Sequence, residues 1–143
     1  TDSVFFKQPM ALDFGGVAKG MAVDPAFNVI AEQLSDRLLG AVVNAGGDMR
    51  MLDWKQQPVG IISQNATIVK HEMKGPAVAS SSGYYHDGMS DIYHPQQQTA
   101  QPLSKTVSVF AAQCQWADAL TKVACLDVNH PVLAQYDAIV LIS

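Results

Sequence analysis

Ala22, Ala26, Val29, Ile30, Leu34 and Leu38 recur at three- and four-residue steps directly behind Gly15, Gly16 and Gly20. That is the apolar stripe of an amphipathic helix. It organises the first third of the chain around one long helix. Two starts fit it. The helix begins at the glycines near 16, or Asp24 is an N-cap with Pro25 at N1, where its missing N–H costs nothing. Proline disfavours helical geometry at the residue before it, which argues for the early start with a kink at Pro25. Gly40 then ends the helix.

The rest of the chain is strand-rich. Val4 to Lys7 reads as a short strand ahead of the helix. Ala41 to Asn44 and Met49 to Leu52 read as strands around a tight turn at Gly46-Gly47-Asp48. Val59 to Ser63, Ala66 to Lys70 and Ala77 to Ser80 are three more. Residues 81–104 carry no periodicity, and a loop of that length is usually functional or mobile. Lys105 to Ala111 is a strand with Val107 and Val109 on one face. A helix over about Gln115 to Leu126 and a last strand, Ala138 to Ile142, close the pattern. The expected fold is α+β: a mainly antiparallel sheet carrying one long and one shorter helix, in a single domain over 1–143.

Composition narrows the function classes. Hydrophobic residues make up 48% of the 143 and charged residues 15%, which excludes a disordered tail, a collagen-like fibre and a coiled coil. Apolar runs are only a few residues long, too short for a transmembrane helix. Nine basic against 13 acidic residues leave a net charge of −4 with no basic patch, so nucleic acid is not an expected partner. Two cysteines make no disulfide scaffold. On one helix Cys114 and Cys125 lie about 16 Å apart by the helical rise, too far to bridge. They read as small buried apolar residues, and Trp54 and Trp116 as core or interface packing. The chain begins at Thr1, which suggests a processed, trimmed or partial product.

Three blocks can carry chemistry. Gly15, Gly16 and Gly20 open a helix, whose unpaired N–H groups and dipole can hold a phosphate. The plainer reading is a close strand-to-helix turn. The spacing matches neither the Walker loop nor the dinucleotide fingerprint. Asn44-Ala45-Gly46-Gly47-Asp48 is by itself a hairpin turn. Asp118 lies on a helix above Ala117, Leu120 and Ala124. It can ligate a hard cation such as Mg2+, or pair with Lys122 four residues on, in the favourable acid-first order. In the long loop, His86, Asp87, Asp91 and His94 could bind Zn2+, against the commoner reading of a solvated loop. Tyr84, Tyr85 and Tyr93 could stack on a planar heteroaromatic ring, against loop anchoring.

The order of the blocks says more than any one of them. DFGGVAKGMAVD at 13–24, NAGGD at 44–48, VGI at 59–61, ASSS at 79–82, DIYHP at 91–95 and ADALTK at 117–122 follow one another in the chain. In this order they resemble the ApbE-like FAD:protein FMN transferases. The resemblance covers nearly all of this chain but roughly the second half of a family member. It implies an ApbE-like, T-fold-like half, with the N-terminal half lost, cleaved, or supplied by another chain or a homodimer. It implies FAD and Mg2+ as ligands. The activity implied is transfer of FMN from FAD to a Thr or Ser hydroxyl of an acceptor flavoprotein, with release of AMP. A periplasmic or membrane-surface setting also follows from the resemblance alone.

Carried over residue by residue, the resemblance makes Asp13 and Lys19 FAD contacts and sets Ile92 against the flavin. Gly16, through its carbonyl, Asp118 and, as the hydroxyl nearest the family's third position, Thr121 become metal ligands, and Asp91 and His94 catalytic residues. Four positions depart from the family pattern. Lys122 stands where a metal-binding Thr is expected, and Thr121 lies one place earlier, about 100° around the helix. Asp91 and His94 exchange the family's His and Asp. Ser82 replaces a glycine, and Met21 a tyrosine. Beside the enzyme, two other readings follow. One is a catalytically impaired module that binds FAD or a protein and in which Lys122 replaces the metal site. The other is half of an assembled site.

Overall fold

The computed structural model describes residues 3–34, 37–83 and 92–143. Its elements in chain order are α1 (Ala18–Gln33), β1 (Val42–Ala45), β2 (Asp48–Met51), β3 (Pro58–Ile62), β4 (Ile68–Glu72), β5 (Ala77–Ser81), β6 (Tyr93–His94), β7 (Thr99–Ala100), β8 (Val107–Ala111), α2 (Cys114–Leu126), α3 (Pro131–Gln135) and β9 (Ile139–Ile142). Five strands form an antiparallel sheet in the order β1-β2-β5-β8-β9, and the β3–β4 and β6–β7 hairpins are separate two-stranded sheets.

Alternation along the strands divides two cores. Ala77, Ala79 and Ala111 face the helices and meet Val23 of α1 with Cys114 and Ala117 of α2. Val107 and Val109 continue this face beneath Leu120 and Ala124, with Leu133 of α3 at its end. The intervening residues Val78 and Phe110 point the other way, onto Val59, Ile61 and Met73 of the β3–β4 hairpin. The sheet therefore has helices on one face and a hairpin on the other. The small residues on the helix side let both helices lie close to it.

Several sequence expectations are corrected. Val4 to Lys7 forms no strand: Val4 and Phe5 are 80% and 89% exposed, with no partner strand among the described residues to bury them. The long helix starts early, as expected, and Pro25 lies inside it, but it ends at Gln33, well before Gly40. Its buried line is Gly20, Val23, Asp24 and Phe27. Ala22, Ala26 and Val29, read as the core stripe, are exposed. The cause is a packing surface built from a glycine and a hydrogen-bonded carboxylate, which hydropathy does not register. The region 81–104 contains the β6–β7 hairpin, and a third helix, α3, starts at Pro131 behind a His130 cap. No helix among the described residues is long and apolar enough to cross a membrane.

Both cysteines are free, Cys114 fully buried at the start of α2 and Cys125 partly buried near its end. Burial pushes the Cys114 thiol up to about 12, and the nearby carboxylates add to it. Burial likewise raises Cys125 to about 11. The unfolded chain gives up these protons from about pH 9, while the folded chain keeps them. Protons are then bound more by the folded state, so stability falls as pH rises through this window. Melting temperature is expected to drop between pH 9 and 11, and Cys114→Ala to flatten that drop while costing a pH-independent ~1 kcal/mol of packing.

Candidate functional site

The first turn of α1 and the β1–β2 turn face each other across one end of the sheet. Asp13 accepts a hydrogen bond from Gly15 N at 2.7 Å, folding the segment ahead of α1 into a tight turn. Gly46 and Gly47 have φ of 62° and 103°, the left-handed geometry of a two-residue hairpin turn between Ala45 and Asp48. Asn44 Oδ1 closes that turn by accepting from Gly47 N at 2.8 Å. The Lys19 stem lies against Gly46, where an added Cβ would meet its Cδ at 3.8 Å.

Two carboxylates and two ammonium groups sit between these turns. Asp48 is 2% exposed, and its Oδ2 is 3.0 Å from Lys19 Nζ. Asp118 is completely buried. Its Oδ2 accepts from Gly20 N at 3.0 Å, and its Oδ1 from Lys122 Nζ at 2.6 Å. Lys19 Nζ is 3.9 Å from that same Oδ1. Burial, with the neighbouring Asp118 charge, raises the Asp48 carboxyl above its ordinary range against the pull of Lys19 and Lys122. Burial opposes the charged form of Lys19, but Asp48 and then Asp118 outweigh it, and its pKa is raised.

This polar floor opens into a cavity of about 790 Å³, within the range of small-molecule sites. Asp13, Gly16, Lys19 and Lys122 line its floor, and the Gly46-Gly47 turn and Ser80–Ser82 of the β5 end its sides. Its apolar lining comes from Ile61, Ile62 and Ile68 of the β3–β4 hairpin, together with Ile92 and Leu103. The lining thus offers both cationic and apolar groups to one ligand.

Of the residues singled out in the sequence, Asp13, Gly16, Lys19 and Ile92 come together on this cavity, with Asp118 beneath its floor. Thr121 is fully buried. Its Oγ1 donates to Asp118 O at 2.7 Å and accepts from Ser81 Oγ at 3.0 Å. His94 is not among the lining residues. It sits in the β6–β7 hairpin, where its carbonyl accepts from Gln98 N at 2.8 Å and its Nδ1 from Gln97 N at 3.4 Å. Asp91 lies outside the described residues, as do His86 and Asp87 of the zinc reading and Tyr84 and Tyr85 of the stacking one. Tyr93 lines the cavity mouth and is 64% exposed. Trp54 packs at the edge of the hairpin core, and Trp116 lies 4.7 Å from the Tyr136 ring.

Two further residues escaped the sequence reading. Asp48 read as the end of a turn, though it is the buried partner of Lys19. Asp24 read as a candidate cap for its own helix, yet it caps another: Oδ1 accepts from Cys114 N at 3.0 Å and Oδ2 from Gln115 N at 2.9 Å, satisfying the first N–H groups of α2. Arg50 completes it, Nη1 lying 3.0 Å from Asp24 Oδ1. A buried carboxylate mid-helix needs such partners, and three of its neighbours in space are far off in sequence.

The residues do not fit the Mg2+ ion that the resemblance implies at Gly16, Asp118 and Thr121. Mg2+ wants six oxygens in near-octahedral array. Both Asp118 carboxylate oxygens already accept hydrogen bonds, the Thr121 hydroxyl is committed within the helix, and an ammonium sits on Asp118 Oδ1. Among the described residues no cluster of three His, Cys, Asp or Glu could hold a metal.

A family model described as the ApbE family matches residues 2–134. Among solved structures the chain is similar to the flavin transferase ApbE from Vibrio cholerae, with 24% identity and a TM-score of 0.64 over 92% of this chain and 46% of that one. It is similar also to the apo form of the Pseudomonas stutzeri flavinyl transferase ApbE, with 20% identity and a TM-score of 0.60 over 92% and 45%. The chain thus spans about half the length of these structures, and the likeness at such identities is one of fold. No curated protein sequence matches the chain significantly.

Proposed function

Since this chain belongs to the ApbE family, we propose that its cavity binds FAD and that the domain serves flavin transfer to an acceptor flavoprotein. The observation that carries this reading is one cavity lined both by Lys19, Lys122 and glycine turns, with Asp13 among them, and by five apolar side chains, Ile61, Ile62, Ile68, Ile92 and Leu103. The diphosphate lies toward Lys19, Lys122 and the glycine turns, and the isoalloxazine toward Ile92 and the β3–β4 hairpin. In the transfer, a Thr or Ser hydroxyl oxygen of the acceptor bonds to the FMN-side phosphorus. The bond from that phosphorus to the bridging oxygen breaks, and AMP leaves with that oxygen. The hydroxyl proton passes to a base. Lys19 and Lys122 would steady the charge on the phosphate oxygens. The acceptor, and the partner that completes a site spanning half the relatives' length, belong to the same proposal.

FAD titration followed by quenching of flavin fluorescence tests it, with AMP assayed in the same samples after adding an acceptor flavoprotein. Lys19→Ala is expected to weaken FAD binding about tenfold, the scale of one lost charge-assisted contact. Absence of FAD binding to the unmodified chain would reject the reading.

A further inference from the structure

We propose that the Lys122 ammonium is the resident cation of this site, so that a dinucleotide diphosphate is held there without a divalent metal. The proposal deepens the FAD reading and rests on it for the ligand's identity. Its geometric part stands on the chain's own residues.

Lys122 is held on three sides. Its Nζ donates to Asp118 Oδ1 at 2.6 Å and to the Asp118 main-chain carbonyl at 3.1 Å. Its stem crosses the glycine entrance of α1: a Cβ on Gly16 would meet Lys122 Cε at 3.3 Å and Cγ at 3.6 Å. The missing side chain at Gly16 is thus the space that the lysine occupies. An ammonium has three donors. Two are spent on Asp118, and among the described residues nothing takes the third, which is left for a ligand in the cavity that Lys122 lines.

Charge explains what the arrangement excludes. Lys19 and Lys122 balance Asp48 and Asp118. A divalent cation at Asp118 would have to displace an ammonium from a fully buried carboxylate and would then stand beside two positive side chains. A diphosphate meets a different site. It finds two ammonium groups whose carboxylate partners lie beneath them, away from the cavity, against one lining carboxylate, Asp13, whose Oδ1 already accepts from Gly15 N. Removing the Lys122 charge inverts this. Two buried carboxylates would face one ammonium, and the surplus negative charge would call in a cation from solution.

Two measurements test this on the intact chain. The first is titration with Mn2+ alone, followed by the loss of its free-ion paramagnetic resonance signal. The unmodified chain is expected to bind no Mn2+ at millimolar concentration. Lys122→Thr, which puts a hydroxyl oxygen in place of the ammonium, is expected to bind it. The second is FAD titration in EDTA and in excess Mg2+. For the unmodified chain the two affinities should agree within twofold. For Lys122→Thr, FAD binding in EDTA should fall at least tenfold and recover with Mg2+. Lys122→Gln keeps most of the stem against Gly16 and serves if the threonine variant does not fold. It should lose FAD affinity in EDTA similarly.

Mn2+ binding to the unmodified chain, or FAD binding that requires Mg2+, would overturn the proposal. So would Lys122 variants that bind FAD in EDTA as well as the unmodified chain does. Failure of FAD to bind under every condition would reject the FAD reading and, with it, the diphosphate part of this proposal. The Mn2+ titration, which involves no flavin, then decides separately whether Lys122 has taken the metal's place.

Discussion

Asp24→Ala is expected to destabilise the protein by about 3–5 kcal/mol, the cost of breaking a buried charge pair. The carboxylate is 6% exposed and serves three donors: Cys114 N, Gln115 N and Arg50 Nη1. Alanine leaves two helix-start N–H groups without an acceptor, a loss typically near 1 kcal/mol for a cap alone. It also leaves Arg50 partly buried with Asn28 Oδ1 at 3.2 Å and the Phe27 ring at 4.6 Å. Those contacts do not replace a counter-charge. Asp24→Asn keeps one acceptor oxygen and should cost about half as much. Chemical denaturation of the two variants checks the order. A double variant with Arg50→Met should lose less than the sum, because the stranded cation is removed with its partner. Equal stability of Asp24→Ala and the unmodified chain would mean that α2 does not depend on this cap.

Gly20→Ala is expected to be nearly as damaging, although alanine is the better helix former by about 1 kcal/mol. The added Cβ would lie 2.5 Å from Cys114 O, and 2.7 Å from Cys114 C and Gln115 Cα. These are backbone atoms of α2 and cannot rotate away, so the two helices must separate. Overpacking of this kind costs about 1–3 kcal/mol, occasionally more. Here the movement also stretches Gly20 N to Asp118 Oδ2, now 3.0 Å, and both Asp24 contacts with α2. A net loss of about 3 kcal/mol is expected, seen as a fall in melting temperature of roughly 10 °C for a domain of this size. Weaker FAD binding should accompany it, since Asp118 and Lys122 ride on the displaced helix. A melting temperature within a degree or two of the original would show that the helices are less tightly apposed.

These two positions also explain what the sequence conceals. Strands with branched residues on alternate positions, such as Val107 and Val109, are readable because one face is buried against helices and the pattern has period two. Cys114 to Leu126 is readable for the same reason at helical period. The register of α1 is not. Its inner line runs through Gly20 and Asp24, which score as spacer and surface by hydropathy. Their role exists only where α2 crosses them. Tyr93–His94 and Thr99–Ala100 are too short and polar to leave any pattern. In the site, the order of the glycine blocks and the ADALTK segment brings out Gly16, Lys19, Asp118 and Lys122, and these do converge. Asp48 stayed hidden because Gly46-Gly47-Asp48 is fully explained as a turn, and nothing local tells which side of a hairpin its carboxylate enters.

The β3–β4 hairpin shares no ladder hydrogen bonds with the five-stranded sheet. It leans on the sheet through Val59, Ile61 and Met73, and is pinned at its end by Thr106 Oγ1 donating to Ile62 O at 2.8 Å and Gln64 Nε2 to Leu103 O at 2.8 Å. The cavity accordingly has unequal walls. Its ionic lining is anchored in the main sheet and in α1 and α2, while much of its greasy lining belongs to a unit held by side-chain packing and two hydrogen bonds, which is expected to open at lower free energy than the whole fold. Amide exchange is expected to be slow in the sheet and helices and faster in the hairpin. A ligand spanning the two would tie a loosely attached leaf to a fixed spine, and its grip would be felt most in the protection of residues 58–72.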